Sequence, residues 1–147
     1  MEQIDDHLDS IAKGPAGLPY AYGLNAEPIT LRAATELYEN LDARTLHRSE
    51  LRLPDGREAV VRTICLVFEH RLATCVAAEL PPGYLPQVFG SALYLADERQ
   101  RFLGALWTYG LPVEAKAGHA EAVDEYASGR ASVAGHEHAM PTQPVLR

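Results

Sequence analysis

Cysteine is scarce: only Cys65 and Cys75 occur, and they form no Cys-x-x-Cys pair. That excludes a disulfide framework and a thiolate-built structural zinc site. Cys65 lies in an apolar stretch and reads as an inert core thiol. Cys75 follows His70 by five residues in an irregular segment, with no thiol-enzyme motif around it. Long apolar runs are missing too; none approaches the roughly 18 residues of a membrane span. Positive charge is in short supply, with 13 Lys and Arg against 20 Asp and Glu and a formal net charge of −7. Such a chain lacks the electrostatic footprint for phosphate backbones, which argues against direct nucleic-acid binding. The charge suits solubility, or an acidic face that docks on a basic partner. The opening Met1-Glu2-Gln3-Ile4-Asp5-Asp6 has no basic region followed by an apolar stretch, so it is not read as a secretory signal, and the cytoplasm is the expected compartment. There is no Gly-x-Ser-x-Gly elbow, no His-Glu-x-x-His, no phosphate-cradling glycine loop and no paired-carboxylate signature. No cofactor is expected.

What remains is a globular composition: 147 residues, 47% hydrophobic and 22% charged, enough for one domain with a real core. Ile4, Leu8 and Ile11 predict a short helix over residues 1–13, stopped by Gly14-Pro15, so that 1–19 is an N-terminal helix and linker. Tyr20 to Ile29 reads as an extended segment or short hairpin around Asn25-Ala26. Thr30 is an N-cap for a helix to about Ala43, with Leu31, Ala34, Leu37, Tyr38 and Leu41 on its inner face.

The clearest local signal is Pro54-Asp55-Gly56 between Leu46–Leu53 and Glu58–Glu69, a β-hairpin whose second strand is apolar on both faces and therefore central. Residues 71–86 read as irregular. Strands follow at Val88–Ala96 and Leu103–Tyr109, joined by Asp97-Glu98-Arg99-Gln100. A closing helix opens at Pro112 and ends at Gly129. From Arg130 the period is lost, and 130–147 reads as a flexible tail. The predicted fold is α+β: an antiparallel sheet of about four strands with two helices packed on it, an N-terminal helix and a C-terminal tail, with 20–129 as the single domain.

The residues that could carry chemistry are few. His70, directly after Glu69, is placed at the end of the central strand, alternating with Leu66 and Phe68. On a wheel of about 100° per residue, the closing helix has Glu114, Glu121, Asp124 and Glu125 on one side. Ala115, Ala122, Val123, Tyr126 and Ala127 fall on the other, with His119 in the middle of that apolar face. His119 should point at the sheet, as a satisfied core histidine or as part of a site. If His70 and His119 meet, they form the one active-centre candidate, with Glu69 beside them. His136-Glu137-His138 resembles a metal-binding fragment, but a segment without period lacks the rigid geometry of a tight site, so no metal is expected. Trp107 and Tyr109 alternate on one strand face; they are core if a helix covers that face and a partner surface if none does.

Two segments together resemble a family of small uncharacterised proteins encoded by phages, prophages and other mobile elements. Arg62-Thr63-Ile64-Cys65-Leu66-Val67-Phe68-Glu69-His70 is similar to that family's central strand, typically Thr-Val-Phe-Leu-Gly-Leu-Asp-His-like. Glu114-Ala115-Lys116-Ala117-Gly118-His119 is similar to its Glu-Ala-x-x-Gly-His closing helix. The resemblance covers about residues 20–127 and singles out His70 and His119. It brings no established activity. The chain departs from the pattern where the family has Phe-Glu-Thr, since it reads Phe89-Gly90-Ser91. The functional expectation is a non-enzymatic protein-interaction module of phage or mobile-element origin, an inhibitor or regulator of a host protein. The alternatives are an enzyme or small-ligand binder using His70 and His119, or a structural virion component. A protein partner is expected, with no nucleic acid and no membrane; the oligomeric state is left open.

Overall fold

The computed structural model describes residues 8–97, 99 and 101–131. Most of the expected N-terminal helix and of the expected tail, with His136 and His138, lies outside the described residues.

The hairpin forms where Pro54-Asp55-Gly56 places it. Strands β1 (Thr45–Arg52) and β2 (Glu58–Cys65) are joined by a turn in which Gly56 takes φ 93° and Asp55 Oδ1 accepts from the Arg57 N–H at 3.0 Å. With β3 (Phe89–Leu95) and β4 (Phe102–Tyr109) they make one antiparallel sheet in sequence order, β1-β2-β3-β4. Strand β2 is central, and seven of its eight residues are buried, which is what an apolar run on both faces requires.

Two short helices with both ends among the described residues lead into the sheet. α1 (Leu31–Tyr38) is capped by Thr30, whose Oγ1 accepts from the Ala33 N–H at 3.2 Å. The sequence predicts one helix to Ala43, but Asn40 leaves the helical region and caps a second piece, α2 (Leu41–Arg44), through Oδ1 and the Ala43 N–H. Asparagine prefers such a cap to a helix interior, where its side chain competes for backbone groups. Only Ala34 of α1 is fully buried, and Tyr38, expected on the inner face, is half-exposed against Phe68 and the Arg44 guanidinium.

The helix expected over 1–13 does not reach its predicted end. Asp9 pairs with Arg32, the Ser10 carbonyl accepts from the Leu31 N–H, and Lys13 bridges to Pro19. Docking on the start of α1 takes the chain out of helical form.

Strand β2 also ends earlier than its apolar pattern predicts. Val67 takes φ 67° and the Phe68 N–H donates to Leu66 O at 2.8 Å, a tight γ-turn. For a β-branched residue this conformation is strained, and a long-range pairing holds it: the Tyr22 N–H donates to Val67 O at 2.8 Å and the Glu69 N–H to Tyr20 O at 2.7 Å. His70 is therefore not a strand-end residue facing the same way as Leu66 and Phe68. It opens a one-turn helix, α3 (His70–Thr74), in a segment expected to be irregular, which also holds a 3-10 turn at Ala77–Glu79.

The closing helix, α4 (Pro112–Ser128), crosses one face of all four strands and stops at Gly129. It buries Ala115, Gly118, His119, Ala122 and Tyr126, spaced three or four apart as one helical stripe requires. Two apolar clusters lie beneath it. One, under its C-terminal half, gathers Leu53, Ala59, Val61, Leu93, Leu103 and Tyr126. The other, at its N-terminal end, gathers Cys65, Phe89, Tyr109 and Ala115 with Ala21, Val67 and Leu72 from the preceding segments. No helix among the described residues is long and apolar enough to cross a membrane.

Candidate functional site

Between the two clusters runs a line of polar groups centred on His119, buried at Thr63, Ser91 and Tyr109 and partly buried at His47 and Ser49. The sheet supplies them by register: His47 and Thr63 are opposite each other on β1 and β2, and Thr63 is opposite Ser91 on β3. From α4, His119 Nδ1 lies 2.8 Å from Thr63 Oγ1 and Nε2 lies 2.8 Å from Ser49 Oγ. Thr63 Oγ1 lies 2.7 Å from Ser91 Oγ, which is 3.2 Å from the Tyr109 hydroxyl. Hydroxyls both give and accept, so the line can run in either direction with a neutral imidazole donating at one nitrogen and accepting at the other. Either way both ring nitrogens are spent. Among the described residues no buried side-chain nitrogen or oxygen lacks a partner.

Helix and sheet come this close because residue 118 is glycine. A Cβ there would sit 2.0 Å from Tyr109 Cζ and 2.1 Å from its hydroxyl. The tyrosine ring lies against the bare helix backbone and carries its hydroxyl to Ser91. The Gly118-His119 pair is thus one device: the glycine sets the approach and the histidine uses it.

The electrostatics follow. Burial, and secondarily the His47 ring whose centroid is 5.5 Å away, hold the His119 pKa below the ordinary histidine value. Its hydroxyl partners can accept from an imidazolium but offer it no countercharge.

The other candidates are placed elsewhere. His70 is exposed on α3 and makes no contact with His119; the histidine beside His119 is His47. Glu69 is buried and saturated. Its Oε1 caps α3 by accepting from the Arg71 and Leu72 N–H groups at 2.9 and 3.3 Å, and its Oε2 accepts from the Gln87 N–H at 3.1 Å and from the Tyr84 hydroxyl. Burial, then the hydrogen bond to Glu69 and its charge, push the Tyr84 phenol well above its usual range. Glu69 closes the loop from α3 to β3. Burial drives the Cys65 thiol up to about 11, and its single S–H can donate to Tyr22 O or Gly23 O, at 3.4 and 3.5 Å from Sγ. Cys75 is partly exposed beside Thr74. Helix α4 covers the face of Trp107 and Tyr109: Tyr109 is buried and Trp107 packs between the two clusters, so the pair belongs to the core. Among the described residues no group of three or more His, Cys, Asp or Glu is gathered for a metal.

Sequence reasoning missed His47, Ser49, Thr63 and Ser91. The available signal was a small hydroxyl residue on each of three adjacent strands, facing a histidine in the middle of an apolar helix face. No family model, no curated protein and no solved structure matches the chain, and the site is read from its own geometry.

Proposed function

We propose that the protein is a non-enzymatic interaction module of phage or mobile-element type, acting by binding a host protein as an inhibitor or regulator. The observation that supports this reading is the fate of His119. Its two ring nitrogens are both taken up by hydroxyls, 2.8 Å away each, where helix α4 meets the sheet. The residues with the strongest chemical potential, His119, Glu69 and Cys65, are all consumed in holding the fold.

A Ser–His contact at 2.8 Å is also the geometry of an activated nucleophile, and it favours the second reading, an enzyme built on Ser49 and His119. In that arrangement a carboxylate normally orients the base and stabilises the imidazolium. Here the group on the far nitrogen is the neutral Thr63 hydroxyl.

A pull-down with the full chain from host lysate, read by mass spectrometry, tests the proposal. One stoichiometric host protein is the expected result. Recovery of capsid or tail proteins would instead make the chain a structural virion component, and labelling of Ser49 by a fluorophosphonate would establish the enzyme.

A further inference from the structure

Next to the buried line, one face of the molecule stays open. A groove of about 480 Å³ runs between the turn at Leu24-Asn25, the start of β1 at Leu46-His47, and the first turns of α4 at Val113 and Lys116. Its volume falls in the range of ordinary ligand sites. Its walls are apolar, and two of its wall residues are well exposed, Leu24 at 40% and Val113 at 70%. Leu111, at the head of α4, is 45% exposed and extends the apolar surface beyond the groove.

The charge in the groove runs against that of the chain. Among the described residues no acid lines it, whereas the Lys116 ammonium does, with the His47 imidazole beside it as a hydrogen-bonding group. Among the described residues the Lys116 ammonium has no ion pair, and the His47 ring meets only His119, by ring contact. The nearest acids on the same elements are engaged with backbone: Glu27 Oε1 accepts from the Asn25 N–H at 3.1 Å and Glu114 Oε1 from the Leu111 N–H at 3.2 Å. What is missing from this surface is an apolar body carrying a negative charge.

We propose that the groove seats an acidic-apolar segment of a partner protein, with a large aliphatic side chain against Leu24, Leu46 and Val113 and a neighbouring Asp or Glu carboxylate between Lys116 and His47. This names the binding face of the interaction module and rests on that reading. A peptide segment fits better than a small ligand, because the groove is shallow and open, and a small ligand needs most of its surface enclosed. It also fits better than a second copy in a two-fold contact centred on the groove, which would set the Lys116 ammonium against its own equivalent.

The test uses the full chain as bait for a library of random short peptides, with Lys116→Glu and Val113→Asp as variants at solvent-exposed positions, their folding checked by thermal melt. Selected peptides should carry Asp or Glu beside Leu, Ile or Phe. Lys116→Glu should weaken them about tenfold, as expected when like charges are set against each other at an interface. Changing the peptide acid to Lys should restore binding to Lys116→Glu. Peptides without an acid, peptides indifferent to both substitutions, or no enrichment would overturn the groove. So would octanoate binding as tightly as the selected peptides, or self-association of the chain abolished by Val113→Asp; these outcomes assign the groove to a small amphiphile or to a second copy. The module reading fails separately: a host partner captured equally by wild type and both variants rejects the groove alone, whereas labelling of Ser49 by a fluorophosphonate rejects the module.

Discussion

In an exposed helix, replacing a mid-helix glycine with alanine stabilises by about 1 kcal/mol. Gly118→Ala should do the opposite. The added methyl would lie 2.0 Å from Tyr109 Cζ, about half an ordinary carbon–carbon contact of roughly 4 Å. The ring cannot swing clear, because Tyr109 is buried at 6% exposure in the cluster under the head of α4. Relief therefore requires the helix to lift, and lifting it stretches the two 2.8 Å contacts from His119 to Ser49 and Thr63. Overpacking of this kind costs about 1–3 kcal/mol, and each weakened buried hydrogen bond adds about 1 kcal/mol. Against a propensity gain of about 1 kcal/mol, the net loss is about 2 kcal/mol or more. For a domain of this size that lowers Tm by about 5 °C or more. Urea unfolding with unchanged m-value, together with thermal melts, measures it. In a Tyr109→Leu background the same change should become neutral or stabilising, since the ring it strikes is gone. A Gly118→Ala protein more stable than wild type would refute the close approach and the account of the Gly118-His119 pair.

Three further outcomes are expected. Thr63→Val keeps the shape but leaves His119 Nδ1 and Ser91 short of a partner, and should lower stability by about 1–3 kcal/mol in urea unfolding; a loss near zero would mean the hydroxyl line is dispensable. Glu69→Ala strips the cap of α3 and the Tyr84 and Gln87 contacts, costs about 3 kcal/mol or more, and should make the segment 70–87 the first site of limited proteolysis. Because the His119 pKa is lowered in the folded state, the unfolded chain binds the proton more readily. His119's share of stability is then full above about pH 6.5 and drains away as the pH falls through the lower folded value. His119→Gln, measured by urea midpoints from neutral to acid pH, should flatten that decline, and an equally steep slope in the variant would place its origin elsewhere.

The parts of the fold that short-range chemistry decides were legible in the sequence. Pro54-Asp55-Gly56 announces the hairpin, Pro112 and Gly129 bracket α4, and the wheel position of His119 points it at the sheet. What depended on distant partners was not legible. Nothing local in Leu66-Val67-Phe68 favours a positive φ at a β-branched residue; the turn exists because residues 67–69 pair with Tyr20 to Tyr22. That turn moves His70 off the sheet and removes it from the environment of His119. His47 and Ser49 escaped notice because β1 alternates partly buried and exposed residues with polar side chains on both sides. Only the β1–β2 register and the helix above show which of them face inward.

The central claim is that His119 is sealed into the fold and not offered to a substrate. An NMR titration of its imidazole carbons and nitrogens in the full-length protein tests this most directly. The account predicts a single neutral tautomer near neutral pH, titrating below about 6.5. Removing Ser49 or Thr63 should change its signals, and removing His70 should not. Titration at or above about 6.5, with rapid exchange between tautomers and indifference to Ser49 and Thr63, would contradict it and reopen His119 as an active-site base.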